Sequence, residues 1–479
     1  MVSKDAFIAA NRFGLGPLPL ELSVIDKNPR AWLKRQIVVE QKTPPLLQNL
    51  PSVAEIMRIY VRNRQQGNRG QGNRQGNCQG ENRQGENRQG ENRGSGMSFR
   101  QQQGRDYRNS IYARTLNVLQ SSQPFAERMV SFWSNHFTVS NASRKIIGPI
   151  AVAYETDTIR PHIFGNFEDM LRAAIHHPTM LLYLGNHISM GPNSSGVLNP
   201  RGGGRGRARV RGLNENLARE IMELHTLGVN GGYTQKDVTE FAKVITGWSF
   251  GGRGGGPEGP HGFRFKRWYH EPGPKTVLGH VFDGGGEDEG IDALKMMAHH
   301  PATAKFIATK LVRHFVSDKP PASAIAKIER VFNESKGNLA KVSEALIDLE
   351  EAWKSPFSKT KQPYELVLST YRALDIGEPN KNDILKSLGE LHQFPFKASS
   401  PAGWSDLSED WLTPESLMRR IEWTRALAAK LPRSVKAEEL FADTIGSVAS
   451  KQTTFWVKAA PSSEEAIALI LASPEFQRR

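Results

Sequence analysis

Among its 479 residues the chain has one cysteine, Cys78. A single thiol cannot close an intramolecular disulfide, so stability has to come from packing. Long apolar runs are also missing. No stretch approaches the roughly 18 apolar residues that a spanning helix needs. The opening residues, MVSKDAFIAANRFG, contain no apolar run after a basic start and do not read as a signal peptide. A soluble, cytoplasmic chain without a membrane span is expected. Long strand-type alternation is absent. There is no phosphate loop, dinucleotide fingerprint, Ser-His-Asp signature or zinc-type cysteine set, which removes the enzyme classes those motifs announce. Apolar residues make up only 38%, while glycine reaches 44 residues, so part of the chain is expected to stay outside any core.

The charge is plentiful but unevenly placed. The formal net charge of +14 points at first to nucleic acid or an anionic surface. Residues 61–108 hold ten Arg against three Glu and one Asp, or +6. Residues 201–211, RGGGRGRARVR, hold five Arg and no acid, or +5. The rest of the chain therefore carries only +3, ordinary for a soluble domain. The first basic segment contains three copies of QGENR, at 79–83, 84–88 and 89–93. With no core-facing residue, such repeats cannot offset their ordering entropy. Both segments are expected to be disordered insertions, and the repeats read most simply as an expanded loop. They alternate Arg with Glu and contain no aromatics, so nucleic acid is not the favoured partner.

The remaining sequence is helical in pattern. Two short helices are expected around the Gly14–Pro19 turn, one near 53–61, and the chain turns helical again near Tyr107. Further helices are expected at 124–136, 150–160, 166–184, 214–227 and 234–245, with Thr234 as N-cap and Asp237 at N3. Eight more follow between 288 and 472. Residues 247–285 are rich in Gly, Pro and aromatics and allow one short hairpin near 262–282. The expected fold is a mainly α, multi-helix array. Its order is a 1–62 helical segment, the 63–106 insertion, a 107–250 central region with a flexible 192–212 loop, a 251–286 loop region and a 287–479 helical region, together one continuous domain.

Several stretches in this order carry a family resemblance: ANRFGLGP (10–17), ERMVSFWSNHFTVS (127–140), LNENLAREIMELHTLGVNGGYTQKDVTEFAKVITGW (213–248), HEPGPKTVLG (270–279) and SPAGW (400–404). They resemble the bacterial domain-of-unknown-function 1800 family over nearly the whole chain. The resemblance implies a largely helical protein without an established activity. It also implies a neighbouring, sulfatase-related uncharacterised protein as a partner, and export in many members.

The densest polar cluster lies on the helix from Asn214. At ~100° per residue, Asn216, Glu220 and Glu223 fall within about 60° of one another. Leu213, Leu217, Ile221 and Leu224 form the adjacent stripe, so the two carboxylates sit at a core edge, where they could act as acid/base groups or ligate a divalent metal. On a regular helix His225 lies about 140° from Glu220 and about 160° from Glu223. A metal there would need His136 or His270 as a further ligand. The plainer alternative pairs the carboxylates with Arg219, Arg211 or Lys243 and leaves His225 capping helix-end carbonyls. His136, beside Phe132 and Trp133, reads first as a satisfied core histidine. His270 and Lys275 share a rigid Gly/Pro loop that either lines a pocket or packs as a turn. His300 reads as an N-cap with Pro301 at N1. Lys310, Arg313 and His314 read as a solvated face, with anion binding as the alternative.

The leading expectation is an enzyme with a carboxylate/histidine pocket. Glu220, Glu223, His225, His136 and His270 would be its catalytic groups, Glu220 and Glu223 its metal ligands, and Arg219 and Lys275 its contacts to an anionic substrate. A non-catalytic helical scaffold and nucleic-acid binding through the Arg/Gly-rich segments are the alternatives.

Overall fold

A computed structural model describes residues 2–59, 98–198, 212–251 and 262–479. The QGENR repeats and the 201–211 run, expected to be disordered, lie outside the described residues. What is described is mainly α, as the sequence pattern predicts, with two small antiparallel strand pairs. No helix among the described residues is long and apolar enough to cross a membrane.

Two helices form the centre. Pro124–His136 starts with proline at its first turn and buries eleven of its thirteen residues. Pro363–Ala373 buries all eleven. A helix apolar all round belongs inside a protein, yet each of these carries charges, and a buried charge needs a partner. The two helices satisfy each other: Arg128 of the first meets Glu365 of the second at 2.6 Å. Around them lie further buried pairs, Arg160–Glu127 at 2.7 Å and Arg114–Glu155 at 2.8 Å. An aromatic layer fills the space beside them. Phe13 stacks on Phe315 at 5.7 Å and on Trp353 at 5.4 Å, and Phe125 meets Phe13 edge-on at 6.1 Å.

The first residues are therefore part of the same core as the later helices. Gly16, at φ +91°, brings its backbone against Ser369, where a Cβ would come within 2.6 Å of the serine Cβ. Its carbonyl accepts from Arg372 Nε at 2.9 Å.

Several boundaries differ from the sequence reading. The helix expected near Tyr107 begins at Phe99, started by a Ser98/Gln101 capping box. Its first two turns are polar, so an apolar period could not reveal them. The single helix expected over 166–184 is two, Phe167–His176 and Pro178–Tyr183, because the residue before a proline leaves the α region; His177 caps the second. Helices at Ala437–Thr444 and Lys451–Ala459 were not expected. The second of them buries no residue. The hairpin within the 262–282 window is β3 (Lys275–Val277) with β4 (His280–Phe282), Thr276 opposite Val281, and not the one expected through Phe263, Phe265, Trp268 and Tyr269, whose last two residues lie in a short helical turn. A second pair, β1 (Trp248–Phe250) with β2 (Phe263–Phe265), accompanies it.

Candidate active-site cavity

The helix Pro301–Phe315 opens as expected, with the His300 side chain accepting from Ala302 N and Pro301 in the first turn. Ile307, Leu311, Val312 and Phe315 face the core. Lys310 and His314 are one turn apart and share a side. The solvated face expected for them is not found. His314 is 6% exposed, Lys310 and Arg313 are half-buried, and the Lys310 ammonium lies 5.6 Å from the centre of the Phe306 ring. The extra cover comes from residues 400–406, a non-helical stretch whose packing no periodicity announces.

That stretch is pinned to the end of the 124–136 helix. Asn135 Nδ2 donates to Trp404 O at 2.8 Å, and Trp404 N donates to Asn135 Oδ1 at 2.7 Å. Gly403 has φ +82°, and a Cβ there would lie 2.6 Å from Asn135 O. Glycine is therefore required, both for the left-handed backbone and for the close approach. The result is that Asp406 reaches His314, with Nδ1 to Oδ1 at 2.7 Å. Gln362 Nε2 also donates to that carboxylate, at 3.3 Å.

The other nitrogen of His314 faces a guanidinium. Arg128 Nη1 is 3.5 Å from Nε2. A guanidinium only donates, so Nε2 carries the lone pair and Nδ1 the proton. Burial is the main force holding His314 below its ordinary pKa, and Asp406 opposes it. Burial alone would raise the Asp406 carboxyl, but His314, Lys359 and Lys310 hold it below the usual value. The pair is a neutral imidazole on an ionised carboxylate. Beside it is a cavity of about 90 Å³, lined among others by Arg128, Ser131, Tyr364, Glu365, Gln393 and Trp404. The guanidiniums on that wall are matched within the protein. Arg128 and Arg479 share Glu365 at 2.6 and 2.9 Å, and Arg114 is held by Glu155 and by the Tyr364 hydroxyl at 2.8 Å.

Lys310 connects this cluster to two histidines singled out in the sequence. Its Nζ lies 3.1 Å from His136 Nδ1, while His136 Nε2 lies 3.1 Å from the His225 carbonyl oxygen. The ammonium donates, so His136 accepts at Nδ1 and donates from Nε2. It is a hydrogen-bonded core histidine, held well below its ordinary pKa by burial and then by Lys310. Burial and Lys310 likewise bring His225 down to about 3 and, with burial acting first, Lys310 itself falls to about 8. The His136 and His225 rings are 6.1 Å apart.

Among the described residues no hydrogen bond or ion pair joins Glu220 or Glu223 to this cluster. From Ile221 to His225 the helix is π-type, a wider turn to which the regular angular step does not apply. The expected cations are used elsewhere: Arg219 pairs with Glu215 at 3.2 Å and Lys243 with Glu240 at 2.6 Å. Burial, then repulsion from Glu223, pushes Glu220 up to about 7. Among the described residues no three His, Cys, Asp or Glu side chains are grouped to hold a metal ion.

His270 and Lys275 do come together, around a residue the sequence reading missed. Glu289 Oε1 is 2.7 Å from His270 Nε2 and 2.6 Å from Lys275 Nζ. Lys275, expected to bind a substrate anion, holds this internal one. His270 Nδ1 lies 2.9 Å from Thr246 O, which closes the cluster as a clasp between β3, the residue that follows the 234–245 helix and the helix Glu287–Ala298.

The fold and cavity thus define a mainly helical protein built around a buried Arg/Glu core and a His–Asp pair at its edge. The model of the family described as "Protein of unknown function (DUF1800)" matches residues 8–478, and the chain belongs to that family. Among curated proteins and solved structures, none matches it.

Proposed function

We propose that the protein is an enzyme acting on a small, uncharged polar substrate in the cavity beside His314, with that imidazole as general base. The observation that carries this reading is the His314–Asp406 contact of 2.7 Å on a cavity wall, with Nε2 an unprotonated acceptor met by Arg128 Nη1 only at a long 3.5 Å, an approach a substrate proton donor would displace. A neutral histidine oriented by a carboxylate is suited to take a proton from a hydroxyl, a water or an acidic C–H. Its role leaves Asp406 ionised, to stabilise the imidazolium that forms. The substrate class follows from the wall charges. With the guanidiniums already paired and the Asp406 carboxylate already held by His314 and Gln362, a charged guest would be buried without compensation, at a cost of several kcal/mol. The Ser131 hydroxyl and the Tyr364 phenol are polar groups on the wall that could orient a neutral one.

The test is incubation of the purified protein with a desalted small-molecule extract, followed by mass spectrometry. Wild type should deplete a neutral metabolite and His314→Gln should not. Identical profiles for the two proteins would sink the reading.

A second reading rests on Glu220, whose pKa of about 7 beside Glu223 suits proton transfer near neutrality. In its metal version the two carboxylates hold a divalent cation that keeps water as its remaining ligands. Elemental analysis of wild type against Glu220→Ala/Glu223→Ala checks it. Equal metal content in both removes that version.

A further inference from the structure

Residues 262–270 read GFRFKRWYH and contain no acid. Trp268 is 49% exposed, and its ring meets Tyr269 edge-on at 5.9 Å. Lys266 Nζ lies 5.2 Å from the centre of the Tyr269 ring. Arg264 and Arg267 enter no ion pair among the described residues. Three aromatic rings (Phe265, Trp268 and Tyr269) and three cations therefore occupy the six consecutive positions 264–269, from the end of β2 through the short helical turn Arg267–Tyr269.

The turn is held rigidly from behind. Gly191 N donates to Tyr269 O at 2.8 Å, and Glu271 accepts from Asn193 N at 2.8 Å and from its Nδ2 at 2.6 Å. A Cβ on Gly196 would lie 2.6 Å from Trp268 O, so this strand of chain runs directly against the turn. Gly212 returns to the same place, its carbonyl accepting from Met190 N at 3.4 Å. Residues 199–211 lie outside the described residues.

We propose that the 264–269 turn is a binding surface for single-stranded nucleic acid. The cations match a string of phosphates, and Trp268 and Tyr269 offer faces on which unpaired bases can stack. The sequence alone argued against nucleic acid because the QGENR repeats alternate Arg with Glu and lack aromatics; residues 264–269, outside those repeats, carry cations and aromatics together. No side chain is arranged to read base edges, so the preference is for single strands rather than for a sequence. An anionic bilayer would also attract the cations, but it requires a broader apolar face than a single exposed indole and its neighbour.

The full-length protein is titrated into fluorescently labelled oligo-dT and oligo-U of about 16 nucleotides, with anisotropy as the readout. Binding should weaken at least tenfold between roughly 50 and 200 mM salt. Trp268→Ala should weaken it about tenfold at fixed salt, Trp268→Phe should restore most of that loss, and Arg264→Glu/Arg267→Glu should weaken it further. Phosphatidylglycerol vesicles are the comparison. No binding to either oligomer at low salt overturns the proposal. So does an unchanged affinity in Trp268→Ala, or binding to vesicles alone.

Discussion

His314 and Asp406 lie 92 positions apart in sequence and 2.7 Å apart in the fold. The contact depends on Asn135, whose side chain fixes both the donor and the acceptor of Trp404, and so sets where the next two residues go. The orienting carboxylate is thus delivered by a loop, the imidazole by a helix, and the register between them by a third element.

Asp406→Asn tests what the carboxylate does. An amide can still hydrogen-bond to Nδ1, but it no longer favours the Nδ1–H tautomer or stabilises an imidazolium. Nitrogen-15 NMR of the histidines should show the His314 Nδ1–H signal weakened or moved to Nε2. Turnover of the substrate found by extract profiling should fall by about 10²- to 10⁴-fold. A variant that keeps both the tautomer and the rate would show that Asp406 only packs.

Glu365→Gln should be costly in stability. Glu365 is the shared partner of Arg128 and Arg479, both buried, and their charges hold its carboxyl far below the usual range. Removing one member of a buried pair leaves an uncompensated charge, worth about 3–5 kcal/mol. Urea unfolding should show a loss of that size with an unchanged slope. Arg128→Met/Glu365→Leu should be less destabilised than Glu365→Gln, since it strands one guanidinium rather than two.

Gly403→Ala separates the loop from the histidine. A left-handed backbone carrying a Cβ costs roughly 1–3 kcal/mol, and here the Cβ would also press on Asn135 O. Chemical denaturation should report a loss of at least that size. The His314 Nδ1–H resonance should shift although residue 403 does not touch the ring. An unchanged resonance would mean that Asp406 is positioned independently of Trp404.

The helical fold was legible because its signals are local. Pro301 after His300, the Thr234/Asp237 capping box and the apolar stripe from Leu213 each act within one or two turns. The cavity was not legible, because it depends on pairings between distant segments. His314 shows the difference. On its own helix it sits beside Lys310 and Arg313, as a solvated residue would, and it is Phe132, Arg128 and Asp406, from distant segments, that cover its ring. Arg128 and Glu365 did leave a trace: each is a charge on a helix whose other sides are apolar, and such a charge has to find its partner in another segment. The π-turn at Ile221–His225 left none, and the angular step of a regular helix does not apply to it.

Glu220 gives the molecule a pH dependence with a definite sign. Its folded pKa of about 7 lies above the ordinary 4.5, so the fold favours the neutral acid. Its stabilising contribution is complete below about pH 4.5 and is lost as pH rises through about 7. Glu220→Gln keeps the shape and cannot ionise. Its Tm should match wild type near pH 4.5 and exceed it at pH 8, the gap opening across that window. Because the carboxyl is half-buried, solvent screening keeps the gap modest. Glu223→Gln should move the window downward by removing the repulsion that is second only to burial. A Tm difference between Glu220→Gln and wild type that stays constant with pH would show that Glu220 titrates normally, and the proton-transfer reading of the 220–223 pair would fall with it.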